Sequence, residues 1–175
     1  MIKEIGYAHE LIANCTTKLD VTIDATVGSG KDTIFLSRIS KKVYGFDIQK
    51  EALEAAQKLL DQESRNNVSL ILDGHENIDK YVNEYVSGCI FNLGYMFDKD
   101  TLIHTKINQV IIALNKTLQL LKIGGKICVL SNNLNDNNLL EGWAKKLTHK
   151  QCQVLKYQCI NNPNNKNLLV IEKIK

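Results

Sequence analysis

The stretch VTIDATVGSGKDTIFL, residues 21–36, decides the reading of the fold. Its first seven residues are a short apolar run, which predicts a buried strand. Gly28 and Gly30 interrupt the run, and KDTIFLSRIS after them predicts a helix. A strand, a glycine loop and a helix in that order open an α/β unit. The same order recurs downstream. KVYGFDI (42–48) predicts a second strand, and QKEALEAAQKLL (49–60) an amphipathic helix with Ala52, Leu53, Ala56, Leu59 and Leu60 on one face. VSLILD (68–73) and GCIFN (88–92) predict a third and a fourth strand, and IDKYVNEYV (78–86) sets Ile78, Tyr81, Val82 and Tyr85 at helical spacing between them.

From Thr105 to Lys122 the apolar residues Ile107, Val110, Ile111, Leu114, Leu118 and Leu121 follow a helical period, ended by Gly124 and Gly125. KICVL (126–130) predicts a fifth strand. An Asn-rich loop at 132–138 leads to a helix containing Trp143. QVLKYQCI and LLVIEKI flank the turn-rich NNPNNKN (161–167) and predict a closing antiparallel hairpin. The expectation is an α/β fold with a mostly parallel seven-stranded sheet and a C-terminal antiparallel hairpin. In such sheets ligands sit beyond the C-terminal ends of the strands, near the switch point.

Composition narrows the class. At 175 residues the chain is expected to form one domain, 1–175, and 44% apolar with 23% charged residues suits a globular protein. No run of apolar residues is long enough for a membrane span. The N-terminal MIKEIGYAHELIANC carries acids and a His where a signal peptide needs an apolar block, so a cytosolic (cytoplasmic) location is expected. Five cysteines without a C-x-x-C pair do not predict metal or disulfide use; Cys89 and Cys128, in apolar runs, are expected in the core. A net charge of +3 permits a polyanionic partner without demanding one.

The glycine loop can hold three kinds of ligand. A phosphate loop needs G-x-x-x-x-G-K-[ST], but aligning Gly30-Lys31 puts Ala25 at the first glycine and Asp32 at the Ser/Thr. A dinucleotide loop needs G-x-G-x-x-G, but Thr33 takes the third glycine, and Asp32 crowds the pyrophosphate. S-adenosylmethionine (SAM) has no phosphate and carries an ammonium and a sulfonium, so nearby acids help it. Asp24 or Asp32 could meet the ammonium, and Gly28 and Gly30 let the backbone approach closely. Asp47, ending the second strand, suits the ribose hydroxyls. Asp73 or His75 of DGHE could flank the adenine, although Asp-Gly is also ordinary turn chemistry.

After the fourth strand, FNLGY (91–95) lies where a transferred methyl group would emerge. Asn92 offers a carbonyl acceptor, Gly94 leaves room for a flat substrate, and Tyr95 offers a ring face. An amine nucleophile needs such acceptors to aim its lone pair at the methyl carbon. His104 is a candidate proton acceptor near the mouth.

Taken in order, DATVGSGKDTIFL, VYGFDIQKEAL, DGHENI, FNLGY and LKIGGKICVL resemble the class I SAM-dependent methyltransferases, with their Rossmann-like fold. More narrowly, they resemble a small bacterial family first labelled as rRNA methylases, whose members are now associated with the wobble uridine of tRNA. The resemblance implies SAM as cofactor, with binding residues Asp24, Thr26, Gly28, Gly30, Asp32, Thr33, Asp47, Gln49, Asp73, His75 and Asn92. It implies acceptor placement by Asn92, Leu93, Gly94 and Tyr95, with His104 nearby and Asn92 and Tyr95 in the catalytic role. The implied reaction methylates the amine of 5-aminomethyl-2-thiouridine at position 34, in an already unpaired anticodon loop. Lys99, Lys106, Lys145 and Lys146 are candidate phosphate contacts, and a homodimer would enlarge the tRNA surface of so small a domain. The chain departs from the family pattern at Met96–Asp100, which lacks a Pro and glycines, and at Leu130–Leu134, where a Tyr-His-Gly-His-like stretch is usual. A methyltransferase for rRNA or a small molecule, a SAM-binding module without turnover, and an NAD-linked oxidoreductase are the alternatives.

Overall fold

The computed structural model describes residues 3–97, 102–104, 106–162 and 166–175, excepting the side chains of 95–97 and 102–104. In chain order the elements are α1 (Glu4–Ala13), β1 (Val21–Asp24), α2 (Lys31–Ile39), β2 (Lys42–Asp47), α3 (Lys50–Gln62) and β3 (Val68–Leu72). A 3-10 helix (His75–Lys80) precedes β4 (Val86–Asn92), β5 (Tyr95–Phe97) and β6 (Leu102–His104). Then come α4 (Ile107–Leu120), β7 (Leu121–Ser131), α5 (Leu134–Ala144), β8 (Cys152–Tyr157) and β9 (Asn167–Lys173). The large sheet has seven strands in the order β3-β2-β1-β4-β7-β9-β8. The first five are parallel, and β9 and β8 run antiparallel to them and to each other, respectively. This is the expected sheet. A separate antiparallel pair, β5 with β6, has no counterpart in the sequence reading.

Strand alternation divides the core. Ile23, Cys89, Phe91, Ile127, Val129 and Ile171 face one side, under Val110 and Leu114 of α4 and Trp143 of α5. Ile90, Cys128, Leu130, Leu168 and Val170 face the other, under Ala8 and Ile12 of α1 and Leu36 of α2. Side chains one residue apart on a strand point to opposite faces, so Cys89 and Cys128 are buried in different layers.

Four local expectations are corrected. The helix read to Lys122 ends at Leu120, because the fully buried Leu121 already pairs with Val86 in the sheet. Gly124 and Gly125 belong to a bulge in β7, not to a helix stop: Gly124 has φ 79°, and a Cβ on Gly125 would lie 2.9 Å from Ser87 O. The helical spacing over 78–86 yields only the 3-10 turn, since Asp73 accepts hydrogen bonds from Gly74, Asn77 and Tyr81 and curls the chain tightly. The loop read at 132–138 is largely α5, capped by Asn133, whose side-chain oxygen accepts from the N–H groups of Asn135 and Asp136. Thr105, read as the start of α4, lies outside the described residues. Among the described residues no helix is long and apolar enough to cross a membrane.

Candidate active site

From β1 the chain steps outward to β2 and β3, then returns to β1's other side as β4. That reversal leaves a cleft of about 810 Å³ over the C-terminal ends of β1, β2 and β4. The volume lies in the range that encloses most of a small ligand.

The glycine loop forms one wall. Gly28 has φ 49°, and its N–H donates to Asp47 Oδ2 at 2.9 Å. Asp47 Oδ1 accepts from the Gln49 N–H at 2.9 Å. Asp47 thereby ties the loop to the end of β2 while its remaining lone pairs stay available to two vicinal hydroxyls. Gly30, with φ 82°, sits against α3, where a Cβ would lie 2.9 Å from Ala56 Cα and Cβ. Its task is to let α2 start close to α3, and it does not line the cleft.

Asp24 and Thr33, expected at the cofactor, lie beneath the loop and outside the cleft lining. Asp24 is fully buried, accepting from Thr33 Oγ1 at 2.6 Å and from the Thr26 N–H at 3.1 Å. Burial, then the nearby charge of Asp32, pushes the Asp24 carboxyl up to about 7. Because the folded-state pKa is raised, the proton favours the fold. Asp24 supports stability fully below pH 4, and that contribution is lost as pH rises through about 7. Asp24→Asn is therefore expected to flatten the fall in stability between pH 4 and 7. Thermal unfolding midpoints of variant and wild type across that window measure the difference; parallel profiles would mean that Asp24 titrates normally.

The opposite wall is a chain of polar contacts. The Asn92 N–H donates to Thr26 Oγ1 at 2.7 Å, fastening the end of β4 to the loop. Asn92 Nδ2 donates to Asp32 Oδ2 at 2.9 Å, and His9 Nε2 lies 2.8 Å from Asp32 Oδ1. Burial alone would raise the Asp32 carboxyl, but hydrogen bonds from His9 and Asn92 hold it below its ordinary range. Asp32 is thus an anion, not a proton carrier, at neutral pH. Because it engages the amide nitrogen of Asn92, Oδ1 is the atom left to accept. Lys166 Nζ donates to that oxygen and to Leu93 O at 3.2 Å. Burial lowers the Lys166 pKa, opposed by the charge of Asp32.

His9 and Lys166 were not read from the sequence as site residues. His9 sits on α1, stacked on Phe35 with ring centroids 3.8 Å apart. Lys166 reaches the cleft because β9 runs antiparallel to β7, which sets Asn167 opposite Ser131 at the C-terminal edge of the sheet. The one usable signal for Lys166 is that it is the only cation in NNPNNKN.

Along the third side, Asp73 and His75 line the cleft. Hydrogen bonds from Asn77 and Tyr81 hold the Asp73 carboxyl below its usual range. His75 packs edge-on to Phe91, ring centroids 5.6 Å apart, and burial pushes its pKa down, keeping it neutral. Its Nε2 is buried without a hydrogen-bond partner among the described residues. Gly94 lines the cleft and is exposed, whereas Leu93 is buried and offers its main chain. The side chains of Tyr95 and His104, and all of Lys99, lie outside the described residues. Lys106 borders the cleft; Lys145 and Lys146 are exposed just beyond the end of α5.

These residues suit a cationic adenosine compound. The carboxylates of Asp32 and Asp47 border the cleft, His75 brings a neutral ring with an orphaned nitrogen, and Asp32 occupies the helix start that a pyrophosphate would need.

An Arabidopsis thaliana protein named tRNA (mnm(5)s(2)U34)-methyltransferase, chloroplastic, is 29% identical over 92% of this chain. The match takes in 66% of that relative's length. Among solved structures, "a putative methyltransferase" from Streptococcus mutans in complex with SAH is 35% identical, with TM-score 0.94 over 99% of both chains. A protein from Clostridium thermocellum described as "putative rRNA-methylase" is 34% identical, with TM-score 0.93 over 99% of both chains. The architecture is that of the class I methyltransferases. Since residues 43–173, from β2 to the end of β9, also match the family described as "Putative rRNA methylase", the chain belongs to that family.

Proposed function

We propose that this chain methylates the primary amine of 5-aminomethyl-2-thiouridine at wobble position 34 of tRNA, with SAM as donor. The cofactor supplies an electrophilic methyl group on a sulfonium. Asp47 accepts the ribose hydroxyls, with Gln49 and Gly28 holding its carboxylate in place. His75 and Asp73 flank the adenine. Thr26 and the Gly28 loop follow the methionine portion, and Asp32 faces the positive end.

The observation that carries the acceptor assignment is the orientation of Asn92. Asp32, braced by His9, holds the amide nitrogen, so Asn92 presents Oδ1 toward the cleft. Leu93 O lies beside it. Two oxygens accept two N–H groups of an amine and leave its lone pair pointing along the line of transfer. A hydroxyl acceptor would use only one of them. The arm arrives as an ammonium, and one N–H proton passes to solvent before the neutral nitrogen attacks. The proton released after transfer passes to solvent at the mouth. The activity named for the Arabidopsis relative supports the same nucleoside.

Mass spectrometry of nucleosides, after incubating the protein with labelled SAM and undermodified tRNA, tests this. Labelled 5-methylaminomethyl-2-thiouridine is the expected product. Label in rRNA or a small molecule instead would move the activity to another acceptor. SAM binding without any transfer would make the chain a binding module.

A further inference from the structure

The two acceptors assigned to the substrate's amine already hold one. Lys166 Nζ donates to Asn92 Oδ1 and to Leu93 O, one side-chain and one main-chain carbonyl. Lys166 ends in a primary amine on a methylene carbon, the same group as an aminomethyl arm. From this coincidence of chemistry and position we infer that Lys166 is an internal surrogate for the substrate. It fills the acceptor seat while the cleft is empty and gives way when a primary alkylammonium arrives. The inference rests on reading the cleft as a methyl-transfer site, and deepens it by naming the group that the seat selects.

Three features support it. First, the two acceptors lie side by side in a part-buried spot of the cleft, and Lys166 satisfies both at once. Second, the exchange conserves charge. Asp32 is held as an anion one residue's breadth away, through Asn92. An incoming ammonium replaces the ammonium of Lys166 as its partner, whereas a hydroxyl or a neutral ring N–H would leave the carboxylate less compensated. The seat therefore discriminates in favour of aliphatic amines before any methyl group moves. Third, departure is mechanically simple. Lysine carries a compact ammonium on a flexible four-carbon stem, so rotation about that stem vacates the seat.

A seat occupied by its own chain binds an outside ligand more weakly, in proportion to the fraction of time it is open. Removing the surrogate should expose the intrinsic affinity. The test uses methylammonium chloride as probe, with neither SAM nor RNA present. Binding is followed by the side-chain amide resonance of Asn92 in labelled protein. Lys166→Ala is expected to saturate at about a tenfold lower methylammonium concentration than wild type. Lys150→Ala, which removes an exposed lysine remote from the seat, should match wild type. Equal affinity in Lys166→Ala and wild type would overturn the surrogate role, and no response of Asn92 in either would overturn the seat itself.

Should Lys166→Ala not fold, the wild-type protein gives a second reading. Acetic anhydride should modify Lys166 more slowly than Lys150, and methylammonium should speed modification of Lys166 alone. Uniform reactivity, unmoved by methylammonium, would end the proposal. Because no RNA enters these measurements, a failed tRNA assay beside a positive amine titration would remove the wobble nucleoside and leave the seat. The reverse pair of results would do the opposite.

Discussion

Asn92→Ala is expected to lower the rate of methyl transfer about 100-fold, a loss typical of misaligned reactants. SAM affinity should change much less. The main chain at 92 keeps its bond to Thr26, so the loop and the end of β4 stay joined. What disappears is the oxygen that aims the amine, together with the donor that Asp32 accepts. Single-turnover rates with saturating SAM, set beside calorimetric SAM affinity, separate the two effects. Equal losses in both would place Asn92 at the cofactor and not at the acceptor. Asn92→Asp offers a useful contrast. It keeps an acceptor but puts a second carboxylate against Asp32, so it should rescue transfer poorly at neutral pH.

Asp47→Ala should weaken SAM binding about 100-fold, since hydrogen bonds to a charged group contribute about 1.5–3 kcal/mol each. Two contributions combine. The ribose hydroxyls lose their acceptor, and the N–H groups of Gly28 and Gln49 lose the carboxylate that holds the loop against β2. Asp47→Asn, which retains one oxygen, should fall between the two. Calorimetric titration with SAM reads the affinity, and unfolding without ligand checks that the variant is intact. Unchanged affinity in a folded Asp47→Ala protein would remove Asp47 from the site.

The glycine-loop region was legible because its parts are close in sequence: Gly28 in the turn and Asp47 at the end of β2 line the cleft, while Asp24, Gly30 and Thr33, read for the same wall, lie behind it. Their division of labour was not legible. Asp24 and Asp32 look alike in the sequence, one before the glycines and one after. In the fold, Asp24 is enclosed by Thr33 and the Thr26 N–H, while Asp32 turns toward His9 and Asn92. Gly28 and Gly30 also look alike, yet one faces the cleft and the other makes room for Ala56.

Leu121 and Val82 carry apolar periodicity compatible with more than one conformation, whereas the Asn-rich run after Asn133 has loop composition and is held helical by its cap. Pairing with Val86, the turn at Asp73 and the cap at Asn133 decide among them. A period of apolar residues says which side is buried; it does not say where a neighbouring strand claims the backbone.

By itself the sequence determined the alternation of strands and helices, the parallel sheet with its closing hairpin, and a loop unsuited to phosphate, because those follow from local patterns and residue charge. Only the tertiary structure decided that His9, 23 residues from Asp32, and Lys166, 74 residues from Asn92, meet at one wall of the cleft. The reason is topological: α1 packs on β4, β7 and β9, and the antiparallel return of β9 carries its leading residue to the sheet edge where the other strands end.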